Sequence, residues 1–361
     1  MLTSLDIKNY RNLKNLEIEK LARVNLITGK NNTGKTSLLE AVSLYVGRGS
    51  IVSIDELLRK RGEFFSGLDN DLKNNLQSYV SLFNNPNREI NISQDYELKI
   101  EVFLEPQAPE NETFPSKKAL NIKIQFQEKD PPALLIITFS DASPREHNMS
   151  KINRDNDFLF RDQWKGLPPK HAFVRTFHTE EELARLWDNI ASTYKEKQLV
   201  AALKLIDSEV ESLDFIKDES KLDGRKAVVK IGNSRLPLKS MGDGMNRILT
   251  IFLPLVNIDK ESGGYLLIDE FENGLHYTVQ EELWRMIFKL AKDLNVQVFA
   301  TTHSNDCIRA FENVLNDSNQ SEGQYFRLEK FSDPAFGEAI KPIFYSSSDL
   351  EAAIDQNIET R

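Results

Sequence analysis

The octapeptide Gly29-Lys30-Asn31-Asn32-Thr33-Gly34-Lys35-Thr36 follows the spacing G-x-x-x-x-G-K-[ST], and Ser37 continues it. Residues of these types at this spacing can wrap a phosphate in backbone N–H groups, because the two glycines tolerate turns that other residues resist. Lys35 would place a cation on the β- and γ-phosphates, and the Thr36 hydroxyl would ligate Mg²⁺. A helix beginning at this point adds the positive end of its dipole to the same anion. The chemistry implied is the binding of a nucleoside triphosphate.

Hydrolysis needs further groups, and candidates lie late in the chain. In "YLLIDEFENGLHY" an apolar segment leads directly into Asp269-Glu270. A carboxylate at a strand's C-terminal edge can hold the Mg²⁺ shell, a role for Asp269, while Glu270 would orient and deprotonate the attacking water. A second apolar segment, "VQVFATTHSND", ends at His303, which could hydrogen-bond a γ-phosphate. Ser240-Met241-Gly242-Asp243-Gly244 precedes an apolar helix and forms a second anion-binding turn. One ATP needs one cradle, so a second makes sense if it reaches the γ-phosphate held by a partner subunit. Each of these has a plainer reading: a turn carboxylate, a core histidine, an ordinary helix cap. Their conjunction with the phosphate loop favours the chemical one.

These groups must be positioned by regular elements. "LTSLDIKNY" and the segment after it alternate as an antiparallel strand pair leading into a buried strand, and a helix follows from Lys35. Residues 54–84 read as short helices. "YELKIEVFLE", "ALNIKIQFQ" and "PALLIITFS" read as an antiparallel meander over 95–140 with an exposed hairpin near Pro106–Lys118, and Ser140–Asp157 reads as a loop. Helical spacing is expected over Glu180–Leu213, broken near Ser192–Tyr194. A β pair over Ala227–Leu238 follows, then strand "GYLLID", helix Val279–Leu294, strand "VQVFATT" and a helix from Asn305. Strands "QYFRLEK" and "AIKPIFYS" and a short helix, Asp349–Ile354, close the chain.

Composition limits the alternatives. The 361 residues are 40% hydrophobic and 28% charged, ordinary for a folded soluble protein. The apolar run "ILTIFLPLV" is too short to span a bilayer, and no secretory leader is read at the N-terminus. The single cysteine, Cys307, excludes an internal disulfide framework and a cysteine-rich zinc site, and a reducing cytoplasm fits best. A net charge of −9 argues against a surface that coats nucleic acid. The local basic groups, "LLRKRG" and Arg225, Lys226, Lys230, Arg235, Lys239 and Arg247, read as solvated faces, with DNA contact the lesser alternative.

The phosphate loop, the opening "LDIKNYRNLKNLEI", "PLKSMGDGMNRIL", "LLIDEFENGLHY" and "QVFATTHS", in this order, resemble the OLD-like AAA-family ATPases, relatives of RecF and SMC heads. The resemblance implies an α/β fold of ABC-type P-loop NTPase head, with a mixed central sheet, an antiparallel β lobe and a helical insert. It implies three regions: residues 1–150 with the P-loop and meander, 151–225 as a helical lid or dimerisation insert, and 226–361 with the signature, Walker B and switch histidine. By that likeness Gly29–Ser37 form Walker A, and Asp269 and Glu270 are the Walker B acid and base. Ser240, Gly242, Asp243 and Gly244 stand for the signature acting in trans. Asn273, Gly274 and His276 lie in the D-loop, His303 is the switch histidine, and Arg11 approaches the nucleotide. No Q-loop glutamine is present in "RTFHTEEEL", where His178 or Thr179 would stand in. The signature reads S-M-G-D rather than S-G-G-Q.

The stretch after His303 is too short for the Toprim nuclease of larger OLD proteins. The chain is therefore similar to ATPase subunits of two-component phage-defence systems such as PARIS. That likeness implies a cytoplasmic, ATP- and Mg²⁺-dependent homodimer or higher oligomer that controls a separate Toprim-like or toxin effector. A RecF-like DNA-repair head and a nucleotide-stabilised scaffold with little hydrolysis are the alternatives. A GTPase is disfavoured, since the nearest mimic of its base-reading motif, "SKLD" at Ser220–Asp223, precedes Walker B.

Overall fold

The computed structural model describes residues 1–64, 72–85, 89–105, 116–128, 130, 132–140, 142–150, 152, 170–174, 180–219, 224–317, 322–333 and 337–346. The expected hairpin tip after Pro106, the stand-ins His178 and Thr179, "SKLD" and the helix Asp349–Ile354 lie outside them. The chain divides into two compact units. The first comprises Met1–Leu21, Lys30–Pro169 and Leu328–Ile343, and the second Ala22–Gly29, Lys170–Arg327 and Phe344 onward.

In the first unit, β1 (Leu2–Tyr10) and β2 (Leu13–Ile18) form the expected antiparallel pair. The meander is β4 (Tyr96–Leu104), β5 (Ser116–Phe126) and β6 (Ala133–Phe139). What local pattern could not reveal is that these are one sheet, with order β2-β1-β4-β5-β6-β7 and Ile7 opposite Ile100. The last strand, β7 (Arg145–Asn148), corrects the loop expected over Ser140–Asp157: Leu135 pairs with His147. Its buried side chains are Arg145 and His147, so the alternation is carried by polar residues and has no apolar signature. The described helices of the unit are α1 (Lys35–Val46), α2 (Ile51–Lys60) and α3 (Leu72–Val80). α1 is buried along nearly its whole length and opens at Gly34, whose φ is +89°.

The strands of the second unit belong to a six-stranded sheet of order β15-β14-β3-β13-β12-β8, of which β14 up to Arg327 and β15 from Phe344 lie in that unit. Its strands are β3 (Val24–Thr28), β8 (Lys170–Val174), β12 (Gly264–Ile268), β13 (Val296–Thr301), β14 (Gly323–Asp333) and β15 (Gly337–Tyr345). β3, β12 and β13 are buried at every residue, the mark of parallel strands covered on both faces, and β14, β3, β13, β12 and β8 all run parallel. Around it stand α4 (Glu180–Asp188), α5 (Tyr194–Leu203), α6 (Asp243–Val256), α7 (Tyr277–Asp293) and α8 (Asn305–Asp317). Phe271 stacks on Trp284 of α7 at 4.0 Å between ring centroids, and Trp284 meets Phe311 of α8 edge-on at 5.0 Å. Leu183, Trp187, Leu199 and Leu203 of α4 and α5 join the same hydrophobic core.

A small antiparallel sheet, β9 (Val210–Lys217), β10 (Arg225–Ile231) and β11 (Ser234–Pro237), corrects the helix expected up to Leu213. α5 ends at Leu203, and in the turn before β9 Asp207 accepts from the Glu209 backbone N–H at 2.9 Å. The register then shifts opposite Lys230/Ile231, so that buried Val210 and Leu213 fall three apart and imitate a helical repeat.

Candidate functional site

The carboxyl ends of β3, β13 and β12 lie side by side in the second unit. Val298–Thr301 pair with Val24–Ile27, and Gly264–Ile268 with Val296–Ala300. Beyond the ladders the Thr302 N–H donates to the Ile27 carbonyl at 3.1 Å and the Phe271 N–H to the Thr301 carbonyl at 2.9 Å. In parallel α/β sheets ligands bind outside this edge of the strands. Gly29, closing β3 with φ +139°, Asp269-Glu270, closing β12, and His303, beyond β13, all lie on this edge.

Asp269 and Glu270 are held by a dense set of bonds. The Thr301 hydroxyl donates to Asp269 Oδ1 at 2.7 Å and accepts from the Glu270 N–H at 2.9 Å. Glu270 is exposed and has φ +51°, a left-handed conformation that costs a non-glycine residue on the order of 1 kcal/mol or more. Arg247 of α6, read from sequence as part of a solvated basic face, is instead buried at 5% exposure. Its guanidinium donates to the Asp269 carbonyl at 2.7 Å and to the Glu270 carbonyl. Burial pushes its pKa down to about 10, against the opposing pull of Glu272, Asp269 and Glu270. Glu272 grips the next strand: it accepts from the Thr302 hydroxyl at 2.7 Å and the His303 N–H at 2.8 Å.

The Gly-rich turn forms a 3-10 segment, Leu238–Met241, that enters α6 through Gly242 at φ +90°. Ser240, Gly242 and Asp243 are exposed, and the Ser240 hydroxyl donates to the Pro237 carbonyl at 2.7 Å. The turn holding Asn273, Gly274 and His276 abuts it: a Cβ on Gly274, where φ is +75°, would lie 3.1 Å from Asp243 Cβ. Gly244 lies as close, since its Cβ would come within 3.2 Å of the Gly274 carbonyl. His276 is exposed, with Nδ1 2.9 Å from the Thr278 hydroxyl.

In the first unit the loop after Gly29 closes on itself. The Lys30 carbonyl accepts from the Thr33 N–H at 3.3 Å, the Thr33 hydroxyl at 2.9 Å and Lys35 Nζ at 3.0 Å. Asn31 and Asn32 are exposed, Asn32 with φ +64°, and Thr36 is half-buried. The "NYRN" turn reaches this loop through Asn12, a residue that sequence reasoning passed over. Asn12 Nδ2 donates to the Asn32 carbonyl at 3.1 Å, and its Oδ1 accepts from the Ser37 hydroxyl at 2.9 Å. Arg11, expected at the nucleotide, is buried and paired with two carboxylates: Nε lies 2.8 Å from Glu40 and Nη1 2.8 Å from Glu63. Burial alone would lower the Arg11 pKa, but Tyr10, Glu40 and Glu63 hold it above the ordinary arginine value. Glu40, fully buried on α1, also pairs with Arg61 at 2.8 Å.

Three of the other basic residues singled out in the sequence are in ion pairs. Arg225 pairs with Asp188, Lys230 with Glu211 and Lys239 with Glu180.

Residues 24–307 match the family model described as "AAA domain, putative AbiEii toxin, Type IV TA system". The chain is 27% identical over 343 residues to an ATP/GTP phosphatase of Helicobacter pylori (strain ATCC 700392 / 26695), covering 88% of this chain and 89% of that protein. It is 53% identical over 49 residues to the DNA replication and repair protein RecF of Rickettsia prowazekii (strain Madrid E), 13% of this chain and 14% of RecF. Among solved structures it is similar to an Smc head bound to the C-winged helix domain of ScpA, with TM-score 0.57 at 10% identity over 96% of this chain and 98% of that one. An Smc head with an extended coiled coil, bound to the C-terminal domain of ScpA from Pyrococcus furiosus, gives TM-score 0.54 at 10% identity over 99% of both chains. At that identity the likeness is one of fold, and the fold is the α/β fold of an Smc head.

Proposed function

This chain belongs to the AAA domain family whose model its residues 24–307 match, and from that premise we propose that it binds and hydrolyses ATP as a nucleotide-dependent switch. Residues Gly29–Ser37 hold the triphosphate, with Lys35 on its β- and γ-phosphates. Glu270 takes a proton from water, the water oxygen bonds to the γ-phosphorus, and the bond to the bridging oxygen breaks to release ADP. Thr36 and Asp269 offer a hydroxyl and a carboxylate, hard oxygen donors that suit Mg²⁺, which would screen the phosphate charge. His303 reads the γ-phosphate. Ser240, Gly242, Asp243 and Gly244, with Asn273, Gly274 and His276 behind them, face a second copy of the chain and read its nucleotide.

The observation that carries this reading is the single sheet edge on which β3, β12 and β13 end, setting the start of the phosphate loop in line with Asp269-Glu270 and His303. The name of the Helicobacter pylori relative supports phosphatase chemistry on a nucleotide. The family's description carries the words toxin and TA system; the reading of a role beside a separate effector, of the kind used in phage defence, rests on the sequence resemblance given above. A RecF-like DNA role draws support from the short RecF match. It is the weaker reading, because Arg225, Lys230 and Lys239 already carry carboxylate partners.

Glu270→Gln tests the reading directly. Removing a general base should lower kcat roughly 10²- to 10⁴-fold, measured as phosphate release, while ATP affinity stays near the wild-type value. Unchanged turnover in that variant would end the assignment.

A further inference from the structure

Past Asp243 at its first position, α6 carries a single charged residue in an otherwise largely apolar helix. Met245, Ile248, Leu249, Ile251 and Phe252 are fully buried, and Arg247 lies among them. A buried guanidinium is costly unless its donors are satisfied. Here they go to consecutive carbonyls of the turn after β12: Asp269 at 2.7 Å, Glu270, and Phe271 at 3.5 Å. β12 ends at Ile268, so these carbonyls lie past the last pairs of its ladders.

The middle carbonyl belongs to the residue with the strained backbone. Glu270 at φ +51° persists only if its surroundings over-determine it. Its N–H is fixed on the Thr301 hydroxyl, its own carbonyl on Arg247, and the preceding carbonyl on Arg247 as well. The planar guanidinium can bridge neighbouring acceptors in a way that the single ammonium of lysine cannot. With both flanking peptide planes pinned, the direction in which Glu270 leaves the backbone is fixed, and the carboxylate stays exposed.

We propose that Arg247 is a positioning residue for Glu270, acting through the Asp269 and Glu270 carbonyls to hold the base in its left-handed, outward-facing conformation. The inference rests on the reading of Glu270 as the base. Burial lowers the Arg247 pKa to about 10, so the side chain stays cationic at neutral pH.

The test uses the full chain with Arg247→Met and Arg247→Lys, measuring kcat, KM for ATP and the thermal melt, alone and in the Glu270→Gln background. A misplaced base costs rate rather than binding. Arg247→Met should lower kcat roughly 100-fold with KM within about twofold of wild type, and Arg247→Lys should recover about a tenth of the wild-type rate. In single-turnover reactions the double variant should be no slower than Glu270→Gln alone, since the base that Arg247 serves is already gone. Wild-type kcat in Arg247→Met, a rise in KM that accounts for the lost rate, or further slowing in the double variant would each overturn the inference. If Arg247→Met lacks a cooperative melt, Arg247→Lys carries the same comparison. A slow Glu270→Gln beside a wild-type-rate Arg247 variant sinks this inference alone. Full turnover by Glu270→Gln sinks the functional reading and this inference with it.

Discussion

Asn12 is the smallest unit on which the phosphate loop depends. Its amide uses both ends, donating to the Asn32 carbonyl and accepting from the Ser37 hydroxyl, so one side chain ties the tip of the loop to the first turn of α1. Asn12→Ala should weaken ATP binding about fivefold, the equivalent of one net hydrogen bond near 1 kcal/mol, while kcat at saturating ATP stays close to wild type. Calorimetric titration checks this, and equal affinity for both proteins would remove Asn12 from the site. The candidate site was legible where its chemistry has a fixed spacing, as in Gly29–Ser37 and Asp269-Glu270. It was illegible where a residue works through distant backbone atoms. Nothing adjacent in the chain says that Arg247 will cap carbonyls at Asp269 and Glu270, although an arginine inside "GMNRILTIFLPLV" is a charge in an otherwise buried helix and could have been flagged.

At the level of elements, the junction between β3 and α1 is the least tolerant. Gly34 begins α1 at φ +89°, and a Cβ there would come within 2.5 Å of Leu13 Cδ2 and 3.3 Å of Asn12 Oδ1. Gly34→Ala adds both a backbone penalty and a clash with the neighbouring turn. The variant should keep most of its secondary structure, melt several degrees lower, and lose detectable ATP binding. Circular dichroism melts with fluorescent-nucleotide titration measure this; wild-type binding by Gly34→Ala would refute it. Elements with clean periodicity, β3, α1, β12, α7 and β13, are readable because burial on two faces or one stripe writes itself into the sequence. β7 escaped because its inward residues are Arg145 and His147, and β9 because a register shift mimics a helical interval. The pairing of β1 with β4 escaped for another reason, since a strand's partner is a non-local choice.

For the whole molecule, the proposed chemistry is divided between copies. Ser240, Gly242 and Asp243 are exposed, and His276 and Tyr277 lie beside them at the entry to α7, with Tyr277 60% exposed. With ATP and Mg²⁺, Glu270→Gln should shift in solution mass from one copy to two, and Lys35→Ala should stay at one copy under the same conditions. Light scattering coupled to size exclusion reads the difference. A Glu270→Gln chain that remains single at saturating ATP would refute the division of labour.

Val24 pairs with Val298 on one side and Gly323 on the other. The strand that launches the phosphate loop therefore has no ladder to join until more than two hundred further residues have left the ribosome. Nascent chains should be unable to retain ATP until β13 and β14 are out, and the unpaired "VNLIT" segment is a stretch for chaperones to shield meanwhile.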